Sequence, residues 1–221
     1  MRVALYGATG MIGSGVLREC LLDQDVQEVI AIGRRPNGKS DPKLRDLILP
    51  NLLDYASVQG ELVGLDACFF CLGISSVGLD EQAYTEITYE YALAAAHALL
   101  VHNPNLTFVF ISGANADSTE RGRVMWARVK GKAENALLAL PFKAVFVFRP
   151  AFVQPLHGIS SRTTGYNVLY RIISPLVPVI RWAFPKYVTT TERVGRAMLR
   201  VAKQGAAQRL FENWEIDQLG R

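Results

Sequence analysis

The sequence predicts a doubly wound α/β fold of Rossmann-like type, with a parallel sheet, helices on both of its faces and a small C-terminal substrate cap. Three observations predict it. Short apolar runs alternate with segments of helical period. A glycine-rich turn at residues 7–13 joins the first apolar run to the first helical one. Beyond Pro150 the alternation gives way to an aromatic, proline-punctuated stretch. A chain of 221 residues suits one domain, residues 1–221, with a cap elaboration over residues 151–187. Half the residues are hydrophobic and a fifth are charged, which excludes a disordered chain.

The elements follow in order. Residues 2–6 form the first strand. Ile12, Val16 and Cys20, flanked by Leu17 and Leu21, give the first helix an apolar stripe that must face a sheet. Residues 27–32 read as the second strand and 44–49, closed by Pro50, as the third. Residues 67–72 are continuously apolar, as in a strand buried on both faces. An alanine-rich helix over 81–101 and a strand over 106–111 come next. A helix over 120–140 and a strand over 142–148 complete six strands. The last helix is signalled by Thr189-x-x-Glu192, a capping box, and should stop at Gly205.

Composition limits the function. The net charge is +4 with a pI near 9.0, and the charges are scattered, so no nucleic-acid footprint is present and an anionic small ligand fits better. Three cysteines, Cys20, Cys68 and Cys71, cannot build a disulfide framework and point to a reducing, cytoplasmic setting. A strand beginning at Arg2 leaves no room for a signal peptide. The most apolar stretch, 168–184, holds Arg171, Arg181 and two prolines, unlike a transmembrane helix. The neighbouring bulk and basic residues of 166–187 suit a cap or dimer surface better than a membrane-interface element.

Gly7-Ala8-Thr9-Gly10-Met11-Ile12-Gly13 lies between strand and helix, where glycines let the backbone approach a pyrophosphate and the helix start offers free N–H groups. The expected ligand is therefore a dinucleotide, held by Gly7, Thr9, Gly10, Met11, Ile12 and Gly13. An NAD site usually ends the second strand with a carboxylate for the ribose 2′-hydroxyl. Here the chain reads Gly33-Arg34-Arg35, and guanidinium groups at Arg34 and Arg35 suit a 2′-phosphate, so NADP(H) is predicted over NAD.

Several separated segments resemble the atypical short-chain dehydrogenase/reductases of the NmrA-like, Tat-interacting protein-like group. They are Gly7 to Gly13, Leu53-Asp54-Tyr55-Ala56, Phe70-Cys71-Leu72-Gly73, Ile111-Ser112-Gly113-Ala114, Val129-Lys130-Gly131-Lys132-Ala133-Glu134 and Phe148-Arg149-Pro150. The resemblance implies that Cys71, Leu72 and Gly73 lie near the cofactor ribose and that Pro150 and Val153 lie near the nicotinamide. It also implies a catalytic Ser, Tyr and Lys, the last two spaced YxxxK. Ser112 matches the serine, which polarises a carbonyl, and Lys130 matches the lysine, which also holds the ribose. The tyrosine position holds Trp126, whose indole N–H donates a hydrogen bond and cannot titrate. Tyr84, Tyr89, Tyr166, Tyr170 and His157 are the substitutes the sequence offers for the lost proton donor.

Three readings follow: an NADP-dependent oxidoreductase on a small carbonyl or hydroxyl substrate, a non-catalytic NADP(H)-sensing regulator, and a nucleotide-sugar epimerase. Cys68 and Cys71 spell CxxC but fall on opposite faces of a strand, so they read as packing residues. His97 and His102 lack companions at zinc spacing.

Overall fold

A computed structural model describes residues 1–159 and 185–221. The central sheet has seven strands: β1 Arg2–Tyr6, β2 Glu28–Gly33, β3 Leu44–Ile48, β4 Ala67–Phe70, β5 Thr107–Ile111, β6 Ala144–Arg149 and β9 Leu210–Glu212. Their order is β3-β2-β1-β4-β5-β6-β9, and every neighbouring pair is parallel. The strand order reverses between β1 and β4, which opens a crevice at their carboxyl ends. A separate parallel pair joins β7, Phe152–Gln154, to β8, Val188–Thr190.

Alternation along the strands sorts the core into two layers. Val3, Leu5 and Phe69 face α1 (Met11–Leu22), α5 (Thr191–Gln204) and α6 (Asn213–Leu219). Ala4, Tyr6 and Phe70 face α3 (Tyr91–Leu100) and α4 (Met125–Leu138). The same alternation places Cys68 in the second layer and packs Cys71 against the first, as the sequence predicts. α1 and α5 approach closely because Gly15 carries no Cβ, which would otherwise lie 2.6 Å from the Thr191 side chain.

Several elements differ from expectation. The helix predicted over 81–101 is α2 (Glu81–Thr85), a π turn over Glu86–Glu90 and then α3. The helix predicted from residue 120 starts at Met125. Before it, Glu120 takes φ 61°, and the Asp117 carboxylate gathers the N–H groups of Thr119 and Gly122, closing a loop instead. The last helix is capped by Thr190, whose hydroxyl accepts from Arg193 N at 3.1 Å, one residue after the predicted Thr189. Glu192 pairs instead with His157 and Arg196. Finally, β9 and the β7–β8 pair escape the period rules because each strand spans only three residues, and α6, a helix of seven residues, is too short to repeat an apolar stripe. Most of the cap predicted over 151–187, including Tyr166 and Tyr170, lies outside the described residues.

Candidate functional site

The crevice forms where the chain has no side chains to spare. Gly7 takes φ 78°, and a Cβ there would meet the Cys71 carbonyl and Leu72 nitrogen at 2.7 Å. A Cβ on Gly13 would lie 2.0 Å from the Gly7 oxygen. The turn closes through Gly10 N–H to the Gly7 carbonyl at 2.9 Å, and Ser14 Oγ donates to Ala8 O at 2.9 Å. Gly10 caps α1 without a side-chain acceptor, so the first amides of the helix, at Met11, Ile12 and Gly13, stay open toward the crevice. Open amides and the positive end of the helix dipole together favour a diphosphate. Thr9, Met11 and Ile12 are half-buried around this turn.

At the end of β2, Arg34 and Arg35 are both exposed, and neither has an acidic partner among the described residues. The phenol of Tyr91 feels the Arg34 charge and donates to Glu86 at 2.9 Å. Two guanidinium groups without an acidic partner among the described residues, beside the glycine turn, and no carboxylate at the end of β2, form an anion-accepting corner. The donor set fits a dinucleotide.

Further along the crevice, Cys71 and Leu72 are half-buried and Gly73 is exposed. A Cβ on Gly73 would stand 4.0 Å from Lys130 Nζ, so the predicted ribose loop and the predicted lysine do meet. Lys130 is buried on α4. Its ammonium donates to the Ile111 carbonyl at 3.2 Å and lies 5.1 Å from the centre of the Phe110 ring. Burial pulls its pKa down to about 8, against a smaller upward pull from Glu134.

Trp126 lies one helical turn before Lys130, with its ring 3.8 Å from where a Cβ of Gly113 would stand. No acceptor among the described residues meets its indole N–H. Ser112 closes the end of β5, its N–H donating to Phe148 O at 2.8 Å. Its hydroxyl donates to Glu134, a fully buried carboxylate on α4. Glu134 is in turn gripped by Arg149, through Nε at 3.0 Å and through Nη2. Arg149 also reaches Ser118 Oγ at 2.6 Å and Glu212 at 3.4 Å. Its guanidinium is held charged chiefly by the Glu134 hydrogen bonds.

This Ser112–Glu134–Arg149 chain is what sequence reasoning missed. A signal was present: Trp126, Lys130 and Glu134 repeat every four residues, so a carboxylate shares the site face of α4. Its partner lies on β6, 15 positions later, and no local period connects the two.

Pro150 is buried at the end of β6, and its carbonyl accepts from Ala114 at 3.0 Å, tying the loop after β5 to the crevice. Val153 is 3 % exposed and packs in the α1/α5 layer. Of the predicted proton donors, Tyr84 is buried at 3 % exposure, the Tyr89 ring lies under Lys132 Nζ at 4.5 Å, and His157 is bound to Glu192 at 2.6 Å.

A profile of the NAD dependent epimerase/dehydratase family matches residues 3–120, the segment that carries the glycine turn, Arg34, Arg35 and the Cys71–Gly73 loop. The chain belongs to this family. The match is broader than the NmrA-like branch that the motifs resemble, and the short-chain dehydrogenase kinship stands. This epimerase/dehydratase member is 28 % identical to protein fmp52-1, mitochondrial, of Aspergillus terreus over 74 % of the chain and 75 % of that protein. It is 25 % identical to protein FMP52, mitochondrial, of Debaryomyces hansenii over 94 % and 90 %.

Among solved structures, a short chain dehydrogenase family protein from Francisella tularensis superposes with a TM-score of 0.68 at 14 % identity, covering 92 % of this chain and 91 % of that one. UDP-glucuronic acid 4-epimerase from Bacillus cereus, in complex with UDP-glucuronic acid and NAD, does so at 0.65 and 16 % identity, covering 95 % and 74 %. At these identities the likeness is one of fold. The relatives' mitochondrial names overturn the cytoplasmic expectation, because three reduced cysteines report a reducing compartment and not which one. No helix among the described residues is long and apolar enough to cross a membrane.

Proposed function

We propose that the protein is an NADP(H)-dependent oxidoreductase of short-chain dehydrogenase type, acting on a small or lipophilic carbonyl or hydroxyl compound bound beside Trp126. The observation that carries this reading is the pairing of the open amides at residues 11–13 with the exposed guanidinium groups of Arg34 and Arg35, which have no acidic partner among the described residues. The amides would hold the diphosphate and the guanidiniums a 2′-phosphate. The Cys71–Gly73 loop and Lys130 would hold the ribose, with Pro150 and Val153 on the nicotinamide side, Pro150 lining the crevice and Val153 supporting it from the core. A bound nicotinamide supplies or accepts a hydride.

The remaining work falls to the chain. Trp126 offers its N–H to a substrate oxygen, Lys130 offers a second donor, and Ser112 contributes an oxygen whose own proton goes to Glu134. In this arrangement Ser112 fixes Glu134 more than it polarises substrate, a change from the role its position resembles.

Thermal shift tests the cofactor. NADPH at 100 times its dissociation constant should add about 2.7 kcal/mol, roughly 5–10 °C in a domain this size. Arg34→Ala with Arg35→Ala should cut the preference for NADPH over NADH by about 10- to 100-fold. No shift with any nicotinamide dinucleotide removes the proposal.

Trp126 favours a second reading, a non-catalytic NADP(H) sensor, because a tyrosine acid is worth roughly 10²- to 10⁴-fold in rate. An NADPH-dependent carbonyl panel on wild type and Trp126→Tyr separates the two. Turnover by both supports the enzyme; turnover only by Trp126→Tyr supports the sensor. A nucleotide-sugar epimerase, the chemistry of the Bacillus cereus neighbour, would also lack its tyrosine here.

A further inference from the structure

We propose that Lys130, kept free of its helical neighbour Glu134 by Arg149, is the group that gives and takes the proton in this crevice. The inference rests on the oxidoreductase reading and assigns that site its missing acid.

Lys130 and Glu134 are four apart on α4, the spacing at which an ammonium and a carboxylate ordinarily pair. Here they do not, because both Glu134 oxygens are engaged by the Arg149 guanidinium and one also by the Ser112 hydroxyl. Among the described residues, Lys130 Nζ is left with one carbonyl acceptor, at Ile111, and with the Phe110 ring. A carboxylate partner would hold the ammonium charged, whereas a carbonyl and a ring in a buried place let it lose its proton near neutrality.

The other ionisable groups on the packed elements are otherwise occupied. Burial pushes the Cys71 thiol and the Tyr84 phenol up. Tyr89 lies against Lys132, Tyr91 is bonded to Glu86, and Arg128 is bonded to Glu81. His157 is bonded to Glu192 on α5, the helix that packs on the sheet face opposite α4 and Lys130. Trp126 has no proton to exchange. Among the described residues, Lys130 is therefore the group at the crevice able to change charge near physiological pH, and its Nζ stands against the Gly73 loop.

The step balances without a further reagent. In reduction the substrate carbon gains the hydride that a reduced nicotinamide supplies, and the carbonyl π pair moves onto oxygen. The oxygen takes a proton from Lys130 Nζ, and the neutral amine left behind recovers one from water. Reduction should then fade as pH rises through about 8, where the ammonium disappears, and oxidation of the alcohol should rise over the same range.

Competitive labelling tests the titration apart from turnover. The full chain is reacted with limiting acetic anhydride from pH 6 to 11, and each lysine is followed by peptide mass spectrometry with and without NADPH. Lys130 should label with a midpoint near 8, well below the roughly 10.4 of a free lysine side chain. NADPH should protect Lys130. Arg149→Met, which frees Glu134 for the ammonium, should move the midpoint upward by about one unit or more. Glu134→Gln, which keeps Arg149 and its contacts to Ser118 and Glu212, should leave it unchanged or lower it, so the inference survives if Arg149→Met fails to fold.

A wild-type midpoint near 10, or one that Glu134→Gln raises, overturns the inference while NADPH protection preserves the cofactor reading. A midpoint near 8 without NADPH protection overturns the cofactor reading, and the catalytic role with it. NADPH-dependent reduction of phenanthrenequinone gives the rate profile. Loss of the limb near 8 in Lys130→Arg supports the role. A limb retained there, and lost instead in Tyr166→Phe or Tyr170→Phe, refutes it.

Discussion

Gly13→Ala is expected to abolish NADPH-induced stabilisation and to destabilise the protein by about 3 kcal/mol or more. The new methyl would lie 2.0 Å from the Gly7 oxygen, 2.6 Å from the Gly7 carbon and 3.1 Å from the Ala8 nitrogen. All three are backbone atoms of a turn that is already bonded, so no flexible side-chain tip can give way. Either α1 tilts off β1 or the turn opens, and both misplace the amides of residues 11–13. Gly10→Ala is the matched control. Its Cβ meets only the Gly7 oxygen, at 3.3 Å, and Gly10 has an ordinary φ of −80°. That variant should fall by less than about 1.5 kcal/mol and keep most of its NADPH response. Urea denaturation and thermal shift on both proteins check the pair. Equal behaviour of the two would show that the turn is not the closed cradle described.

The second large effect belongs to Arg149. Removing one member of a buried ion pair leaves a charge with no counter-charge, a loss of about 3–5 kcal/mol, whereas replacing both members by apolar residues is often close to neutral. Arg149→Met is expected to show that loss, lessened by whatever pairing Glu134 gains with Lys130. Adding Glu134→Met to it should restore most of the stability, short of about 1 kcal/mol for the Ser112 hydroxyl that then lacks an acceptor. The coupling from the four proteins of this cycle, read by urea denaturation, should be favourable by more than about 2 kcal/mol. Additive losses would mean that the pair contributes nothing as a pair, and that Lys130 owes its environment to burial alone.

The proposed NADP preference and the proposed proton role of Lys130 draw on separate parts of one crevice, and their tests are independent. Arg34 and Arg35 would act on a phosphate at the exposed end of β2, and Lys130 would act from its buried place beside Phe110 and Ile111 of β5.

The sequence by itself determined the layered fold, because that information is local. Short apolar runs and period-4 stripes fixed β1, α1, β2, β4, β5 and β6 to within a residue or two, and the spelling at 7–13 and 33–35 placed the glycine turn and the carboxylate-free strand end. A helix stripe or a glycine turn is written within about one helical or strand length, so it can be read without its neighbours. The tertiary structure decided what depends on residues distant in the chain. The three-residue strands β7, β8 and β9 exist only because a neighbouring strand is there to bond them. The cap fell at Thr190, the last residue of β8, because the helix begins at Thr191 and so presents the Arg193 amide to the Thr190 hydroxyl. Above all, Glu134 chose Arg149 over Lys130. Helical spacing favoured the lysine, but a guanidinium brought in on β6 offers two parallel donors to one carboxylate, and a single ammonium on the same helix cannot match that geometry.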